Sequence, residues 1–340
     1  MLRIAVIGTG WAGCRQIEAV RELDSGVEVA ALVDTDPEQL GARTSDYAVG
    51  ASYHDYRDAL YNANIDAVSI CTPHASHGPI AVDAANAGKH VLVEKPMALD
   101  VAGATETIEA AEANDVRLYV AESATYTAES KFLRAAVRSG SRIGEVTGAS
   151  LARGFRAPDF GYAGRREWLT RPKDGGTGTW MLHGIHNMAQ LRYIFGEIET
   201  VYMREHAASS FRRGDIEATM TGLLTTRGGV NISVLQTTET RLADGLDGYS
   251  IYGDRGSIRA SSAGCEFIPV DGPSQAIEYA PEALSEFAQE IQAFADYVTG
   301  AAVGPTTGYS ERRTLAIVQA GYESAGAGAP VNLDERFGAI

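Results

Sequence analysis

The fold of this chain is decided by its first stretch, in which the apolar run Leu2-Arg3-Ile4-Ala5-Val6-Ile7 leads directly into Gly8-Thr9-Gly10-Trp11-Ala12-Gly13. A helical pattern follows from Ala12 to Leu23, and a second apolar run extends from Val27 to Val33. Strand, glycine turn, helix and strand in this order are the context that gives a G-x-G-x-x-G match its meaning. The stretch therefore predicts a dinucleotide-binding βαβ unit.

The three glycines have separate roles in such a unit. Gly8 permits the tight turn, Gly10 lets the backbone approach a pyrophosphate, and Gly13 lets the helix pack closely on the strand. The helix N-terminus, with Trp11 and Ala12 in its first turn, then faces the phosphates. We expect all five residues to bind the cofactor.

An acidic residue at the end of the second apolar run bears on the choice of cofactor. Asp34 lies 21 residues beyond Gly13, where a carboxylate would bind the adenosine ribose hydroxyls. A 2′-phosphate would meet Asp34 and Asp36 as like charges. The sequence therefore favours NAD over NADP.

Two further apolar runs end in polar motifs. Ile65 to Cys71 is followed by Thr72-Pro73-His74, and Lys89 to Val93 is followed by Glu94-Lys95-Pro96. Open α/β sheets bind ligands beyond the carboxyl ends of their strands. We therefore expect Asp34, Thr72-Pro73 and Lys95 to line one crevice.

The pattern changes after Leu118 to Glu122, which we predict to be the sixth strand. Residues 1–123 are then an α/β Rossmann domain with a doubly wound parallel sheet. In residues 124–340 the strand patterns follow one another without crossover helices, which predicts an α+β domain with a large open, mainly antiparallel sheet. The strands are predicted at Thr200–Glu205, Met220–Thr226 and Val230–Gln236, with turns at Arg227-Gly228-Gly229 and Asp254-Arg255-Gly256-Ser257. Helical patterns at Ser285–Gly300 and Tyr309–Ala325 are expected to pack near the domain junction.

Composition narrows the class of protein. The 340 residues suit about two domains, and 45% hydrophobic content suits a globular chain. A formal net charge of −15 argues against nucleic acid as a partner, because a polyanion would be repelled. Cys14, Cys71 and Cys265 are an odd number and widely spaced, which indicates a reducing compartment. With no signal-peptide pattern and no membrane-length apolar run, we expect a cytoplasmic enzyme with a small-molecule substrate.

Residues 72–77 and 87–96 resemble the Gfo/Idh/MocA family, named for glucose–fructose oxidoreductase and inositol dehydrogenase. The resemblance implies NAD(P)-dependent oxidoreductase activity and dimers or tetramers formed through the C-terminal sheet. It also implies that Thr72, Pro73, His74, His77 and Glu94 shape the nicotinamide site. The likeness resumes at Ile143-Gly144-Glu145, Arg192-Tyr193-Ile194-Phe195-Gly196, Ile251-Tyr252-Gly253-Asp254-Arg255-Gly256 and Ala320-Gly321-Tyr322-Glu323-Ser324.

Lys95 is the first catalytic candidate. A cation beside the reactive ring stabilises the alkoxide that develops as hydride leaves carbon, and burial brings the pKa of a lysine closer to neutrality for proton transfer. The alternative is a solvated lysine in a local ion pair with Glu94.

His186 is the second catalytic candidate, because an imidazole can accept a hydroxyl proton near neutral pH. His183 and His186 are three residues apart, which predicts one face of a helix, and that spacing does not match a zinc site. The resemblance implies that His186 is the family's histidine that contacts substrate, and that the family's usual aspartate falls on Leu182. We expect His183 to bind substrate in place of that aspartate. The alternative for either histidine is a structural role, as a helix residue whose hydrogen bonds are satisfied within the fold.

The substrate pocket is expected to depart from the family pattern elsewhere too. Family members often carry an Arg-Tyr or Arg-Phe pair after the sixth strand, whereas this chain has Ala124-Thr125-Tyr126, so only Tyr126 is left as a substrate contact. Five arginines lie between Arg153 and Arg171, interleaved with aromatic residues. This stretch predicts either a substrate lid, with Arg156, Arg165 and Trp168 as contacts, or an arm at a subunit interface.

Together these features predict an NAD-dependent dehydrogenase that oxidises a secondary hydroxyl of a cyclic polyol or sugar. Hydride would pass to the nicotinamide C4, with Lys95 and His186 handling the proton. A dehydrogenase for a carboxylated aromatic cis-dihydrodiol is the first alternative. An NAD-dependent glycosidase and a non-catalytic NAD sensor are the others.

Overall fold

The computed structural model of the protein describes residues 1–62, 64–156, 168–169, 171, 175, 178–207 and 216–338. These residues form two compact units. The first consists of residues 1–126 and 282–313, and the second of the described residues within 127–281 and 314–340. The predicted second domain begins at residue 124 and runs to 340, whereas residues 124–126 and 282–313 belong to the first unit of the structure.

The first unit contains a six-stranded sheet in the order β3-β2-β1-β4-β5-β6, with every neighbouring pair parallel. This is the strand order of a Rossmann fold, so the predicted doubly wound sheet is confirmed. Its strands are β1 (Leu2–Ile7), β2 (Val27–Val33), β3 (Ser52–Tyr53), β4 (Ala67–Ile70), β5 (His90–Glu94) and β6 (Leu118–Ala121). Its helices are α1 (Trp11–Glu22), α2 (Pro37–Asp46), α3 (Tyr56–Leu60), α4 (His77–Asn86), α5 (Val101–Ala113) and α8 (Glu286–Thr299).

Helix α8 joins the first unit because its apolar face completes that unit's core. Ile291 and Phe294 are buried in the same cluster as Leu92 and Tyr119, and the rings of Phe294 and Tyr119 lie 6.3 Å apart. The helix ends where the sequence pattern indicated: the Ser285 side chain caps its N-terminus, and Gly300 follows in the left-handed conformation.

The second unit contains a nine-stranded sheet in the order β14-β13-β12-β11-β7-β10-β9-β8-β15. Of the strand pairs in the described part of this sheet, only β7–β10 is parallel, so the mainly antiparallel sheet is confirmed. The two predicted turns join β9 to β10 and β11 to β12. The strands are β7 (Val146–Gly154), β8 (Ile198–Ala207), β9 (Glu217–Thr226), β10 (Asn231–Thr237), β11 (Gly248–Gly253), β12 (Gly256–Ser261), β13 (Gly264–Pro269), β14 (Gln275–Ile277) and β15 (Val331–Asn332).

The helical part of the second unit includes a rare π-helical turn, Trp180–Gly184, which runs directly into α7. The other helices are α6 (Ala128–Ser139), α7 (Ile185–Phe195), α9 (Gly308–Ala327, in this unit from Thr314) and α10 (Leu333–Phe337). Within the described residues, none of the helices combines the length and apolar character needed to span a bilayer.

Candidate active site

The glycine turn after β1 has the close contacts that the motif requires. Gly8 has φ +92°, and a methyl group there would lie 2.6 Å from the Cys71 carbonyl oxygen. A methyl group on Gly13 would lie 2.0 Å from the Gly8 carbonyl oxygen. Both positions exclude any side chain, because the atoms that would clash belong to backbone.

The N-terminus of α1 has the features of a phosphate-binding site. Among the described residues, a methyl group on Gly10 would meet nothing within 4 Å, and no side chain caps the helix there. Trp11, in the first turn, is 58% exposed. Open space beside Gly10 together with a helix N-terminus fits the pyrophosphate of a dinucleotide, so these residues suit the cofactor that the fold implies.

Asp34 follows β2 and is held by several hydrogen bonds. Its Oδ2 atom accepts from the Thr9 backbone amide at 2.9 Å, the Thr9 hydroxyl at 2.8 Å and Gln39 Nε2 at 2.5 Å. Its Oδ1 atom accepts from the Asp36 amide at 2.9 Å. Burial raises the pKa of Asp34, but these hydrogen bonds outweigh it and lower the pKa overall. The carboxylate is therefore ionised at neutral pH, and Oδ1 retains acceptor capacity for a ribose hydroxyl.

His77 connects the two motifs that follow β4 and β5. Its Nε2 atom lies 2.7 Å from the Thr72 carbonyl oxygen, and its Nδ1 atom lies 2.8 Å from the Pro96 carbonyl oxygen. The ring is 1% exposed and lies 5.6 Å from the buried ring of His74. Burial lowers the pKa of His77, although its two carbonyl partners raise it. The ring thus fixes the Thr72-Pro73 turn against the loop that carries Lys95.

Lys95 lies at the carboxyl end of β5, as predicted, and the Lys95–Pro96 peptide bond is cis. Burial lowers the pKa of Lys95, while the carboxylates of Glu94 and Glu122 raise it. Burial also raises the pKa of Glu94 to about 7, against the effect of Lys95, which lowers it. A lysine in this setting can donate a hydrogen bond, and its lowered pKa makes it a better proton donor than a solvated surface lysine.

The start of the helix that carries both candidate histidines is anchored from two other elements. Glu217 Oε1, on β9, accepts from the Trp180 backbone amide at 2.7 Å and from the Tyr322 hydroxyl at 3.1 Å. The Met181 amide donates to the Tyr322 hydroxyl at 3.1 Å. A methyl group on Gly178 would lie 1.7 Å from the Glu217 carboxyl group. Glu217 therefore acts as an N-cap supplied by the neighbouring strand.

Burial raises the pKa of Glu217 to about 7, even though its hydrogen bonds to Trp180 and Tyr322 lower it. The Trp180 indole is fully buried and donates to the Val318 carbonyl oxygen at 3.0 Å. The helix start is thus fixed by side chains that the local sequence pattern does not bring together.

His183 and His186 lie on different parts of this helical segment. His183 is within the π-helical turn and His186 within α7, and both side chains are half-buried. The His183 ring packs edge-on against Phe155, with centroids 4.4 Å apart. The two histidines therefore do not share one regular α-helix, which is what their spacing predicted.

Comparison with known proteins agrees with this arrangement. A family model described as "Oxidoreductase family, NAD-binding Rossmann fold" matches residues 2–122, and one described as "GFO/IDH/MocA C-terminal domain" matches residues 131–259. The chain belongs to the Gfo/Idh/MocA family. It is therefore an NAD(P)-dependent oxidoreductase, as the sequence analysis predicted.

Individual Gfo/Idh/MocA proteins are similar over different lengths. The uncharacterized oxidoreductase YrbE of Bacillus subtilis is 23% identical over 340 residues, covering 97% of this chain and 96% of that protein. A glycosyl hydrolase family 109 protein of Shewanella woodyi is 29% identical over 192 residues, covering 54% of this chain and 38% of that protein. The solved structure of an aldose–aldose oxidoreductase from Caulobacter crescentus has a TM-score of 0.86 at 24% identity, covering 97% of this chain and 99% of that one.

Leu182 and Tyr126, at the two positions where we predicted a departure from the Gfo/Idh/MocA pattern, are both buried. Leu182, at the family's usual aspartate position, is 7% exposed and apolar. Tyr126 is also 7% exposed, and its hydroxyl lies 2.6 Å from the Tyr119 hydroxyl. The predicted role of Tyr126 as a substrate contact stays a prediction.

The arginine-rich stretch is only partly described. Arg153 pairs with Glu129 at 3.2 Å and lies over the Tyr249 ring. Arg156 is exposed and Trp168 is half-buried. Arg165 lies outside the described residues, so its predicted contact with substrate stays a prediction.

Several polar residues around these sites were not predicted from the sequence. Thr9 and Gln39 hold Asp34, Glu217 caps the histidine helix, and Gln16 and Glu290 are buried together in the first unit. Thr9 lies inside the glycine motif itself and was open to prediction. The other contacts depend on how distant segments pack.

Proposed function

We propose that this protein is an NAD-dependent dehydrogenase that oxidises a secondary hydroxyl group of a cyclic polyol or sugar. The observation that carries the proposal is Lys95, a largely buried amine at the carboxyl end of β5 in the unit that holds the dinucleotide turn. Sugars are the first choice because the family includes sugar and inositol dehydrogenases and because the similar Caulobacter crescentus structure is an aldose–aldose oxidoreductase.

The preference for NAD over NADP is supported by Asp34. Its carboxylate is ionised, since its hydrogen bonds from Thr9, Asp36 and Gln39 lower its pKa. Asp36 adds a second carboxyl group, which caps α2. A 2′-phosphate placed there would meet negative charge, whereas a ribose hydroxyl can donate to Oδ1.

In the proposed reaction NAD, when bound, accepts a hydride from the substrate carbon. Lys95 donates a hydrogen bond to the oxygen of that carbon and stabilises the negative charge that develops on it. His186 accepts the hydroxyl proton through its half-buried imidazole. His77 holds the loop of Lys95 in place through the Pro96 carbonyl oxygen.

A carboxylated aromatic cis-dihydrodiol is the second candidate substrate. The observation that favours it is the buried apolar Leu182 where the family usually has an aspartate, together with the exposed guanidinium of Arg156. An apolar wall suits an unsaturated ring, and an arginine binds a carboxylate through two parallel hydrogen bonds.

The test is a panel of aldoses, cyclitols and carboxylated cis-dihydrodiols incubated with NAD, with NADH absorbance as the readout. Lys95→Met should lower kcat/KM by roughly 10²–10³-fold, and His186→Gln by roughly 10²–10⁴-fold. Matched controls are Lys131→Met on α6 and His206→Gln on β8, which should retain activity. Turnover of a glycoside without net NADH would support the glycosidase alternative instead, and full activity of Lys95→Met would refute the proposed role of Lys95.

We further propose that the nine-stranded sheet mediates assembly into dimers or tetramers. Leu223, Tyr252 and Ile268 are exposed at 43%, 44% and 38%, and the strand register places all three on one face of the sheet. Large apolar side chains on an open sheet face favour burial against another copy. Sedimentation analysis of the intact chain tests this proposal, and a monomer at micromolar concentration would refute it.

A further inference from the structure

The first unit buries polar side chains that the proposed cofactor contacts do not use. Gln16, on α1, is 1% exposed, and Glu290, on α8, is 0% exposed. Glu122, immediately after β6, is also 0% exposed. Carboxyl groups are rarely buried to this extent without a specific arrangement around them.

The side chains of Gln16 and Glu290 share one hydrogen bond, and each leaves one buried oxygen atom unsatisfied. Gln16 Nε2 donates to Glu290 Oε1 at 3.0 Å. The remaining polar atoms of the same two groups, Gln16 Oε1 and Glu290 Oε2, are both buried and have no hydrogen-bond partner among the described residues. An ionised Glu290 would leave two buried acceptors without a donor, which is strongly unfavourable. A proton on Glu290 Oε2 supplies the donor that Gln16 Oε1 lacks.

The charges around this contact favour the same protonation state. Burial raises the pKa of Glu290 well above its ordinary value, and the nearby carboxyl groups of Glu94 and Glu122 raise it further, against a lowering effect of Gln16. The cation that acts on Glu94 is Lys95. Three ionised carboxylates beside a single lysine would leave excess negative charge in the interior, so at least one of them retains a proton.

We propose that Glu290 stays protonated at neutral pH and forms a neutral acid–amide pair with Gln16, which makes Gln16 a positioning residue for Glu94 and Lys95. This inference rests on the proposed role of Lys95. The amide nitrogen of Gln16 carries two hydrogens. One bonds Glu290, and a side-chain hydrogen bond from Gln16 also lowers the pKa of Glu94.

The order of effects follows from this geometry. The Glu290 proton fixes which way the Gln16 amide points, and the amide N–H then favours the ionised form of Glu94. Ionised Glu94 in turn keeps Lys95 charged. The groups that act electrostatically on Glu94 or respond to it are Lys95, Glu122, Glu290, Gln16 and the buried Cys71 thiol, whose pKa burial raises.

The first test is infrared spectroscopy of the intact protein and of Glu290→Gln. The amide of Glu290→Gln reproduces the shape and neutrality of the protonated acid. Wild type at pH 7 to 8 should show one carbonyl band of a protonated carboxyl group that Glu290→Gln lacks, beside the bands of Glu94 and Glu217, whose pKa values of about 7 leave them partly protonated in both proteins. An identical carbonyl region in the two proteins would overturn the proposal.

The second test follows the ionisation of Glu94, assigned by the band that Glu94→Gln removes. Gln16→Leu should raise its midpoint by about one pH unit, because a hydrogen bond to a charged group is lost. Glu290→Gln should leave that midpoint unchanged, and Gln16→Met provides a second variant if Gln16→Leu does not fold. A lower Glu94 midpoint in Glu290→Gln would mean that Glu290 is ionised in wild type, because removing its negative charge would favour ionised Glu94, and this result would overturn the proposal.

Neither the infrared spectrum nor the Glu94 midpoint requires turnover. A failure of this inference can therefore be told apart from a failure of the proposed dehydrogenase function. If wild type oxidises a member of the panel, the acid limb of its kcat/KM profile should shift upward in Gln16→Leu and stay in place in Glu290→Gln. If it oxidises none, the infrared spectra still decide the protonation state of Glu290.

Discussion

Glu217→Gln offers a quantitative test of how the histidine helix is anchored. The glutamine carbonyl oxygen can still accept from the Trp180 amide and the Tyr322 hydroxyl, so the cap is preserved. What the substitution removes is the ionisation of a carboxyl group that is only 8% exposed. The difference between the two proteins should therefore depend on pH.

The sign and size follow from the pKa. Burial raises the pKa of Glu217 from 4.5 to about 7. Between these values the folded protein binds more protons than the unfolded chain, so the stability contributed by Glu217 is full below pH 4.5 and is lost as the pH rises through 7. A shift of about 2.5 units at ~1.36 kcal/mol per unit corresponds to about 3 kcal/mol. Glu217→Gln should gain about that much free energy of unfolding relative to wild type between pH 4 and pH 8.

The assay is urea denaturation at unit pH intervals, followed by tryptophan fluorescence, since Trp180 is buried in the same unit. Glu199→Gln is a matched control, because Glu199 is an exposed glutamate on β8 in this unit. Its difference from wild type should stay constant with pH. If the difference in free energy of unfolding between Glu217→Gln and wild type is also independent of pH, Glu217 does not act as a buried cap that binds a proton on folding.

Two further predictions concern the cofactor unit. Gly13→Ala should lower the free energy of unfolding by about 1–3 kcal/mol in denaturant titration, because the methyl group meets the Gly8 carbonyl oxygen. The control is Gly41→Ala, at a helical position with open space, which should raise the free energy of unfolding by about 0.4–1 kcal/mol. Equal changes in the two variants would contradict the proposed clash at Gly13. Asp34→Asn should raise the Kd for NAD by roughly 10- to 100-fold in NAD titrations and narrow the preference over NADP, since a hydrogen bond to a charged group is weakened. Asp36→Asn keeps the cap of α2 and should change the Kd much less, and an unchanged NAD/NADP ratio in Asp34→Asn would exclude charge as the basis of selectivity.

The Rossmann sheet was predictable because its signals are local. Strands β1, β4, β5 and β6 are largely buried and read as short apolar runs, and the glycine turn marks where β1 ends. Leu2–Ile7 and Val27–Val33 were predicted with the bounds that the structure has. The antiparallel strands β8, β9 and β10 were located to within a few residues from their turns.

The parts that sequence reasoning missed depend on distant contacts. Gln16 and Glu290 are separated by 274 positions, so no local pattern connects them. The assignment of α8 to the second domain overlooked that its apolar face matches the core around Tyr119. The π-helical turn is likewise stabilised by Glu217 and Tyr322, which reach it from β9 and α9.

The hydrogen bonds between Thr9 and Asp34 have a consequence for how a dinucleotide is captured. The carboxylate that would receive the ribose is fastened to the very turn that would receive the phosphates, so both halves of an ADP moiety meet a surface that is preorganised. Binding then spends little free energy on ordering loops. Fragments as small as ADP-ribose should accordingly retain much of the affinity of the whole dinucleotide, with the nicotinamide half left free to reorient for chemistry.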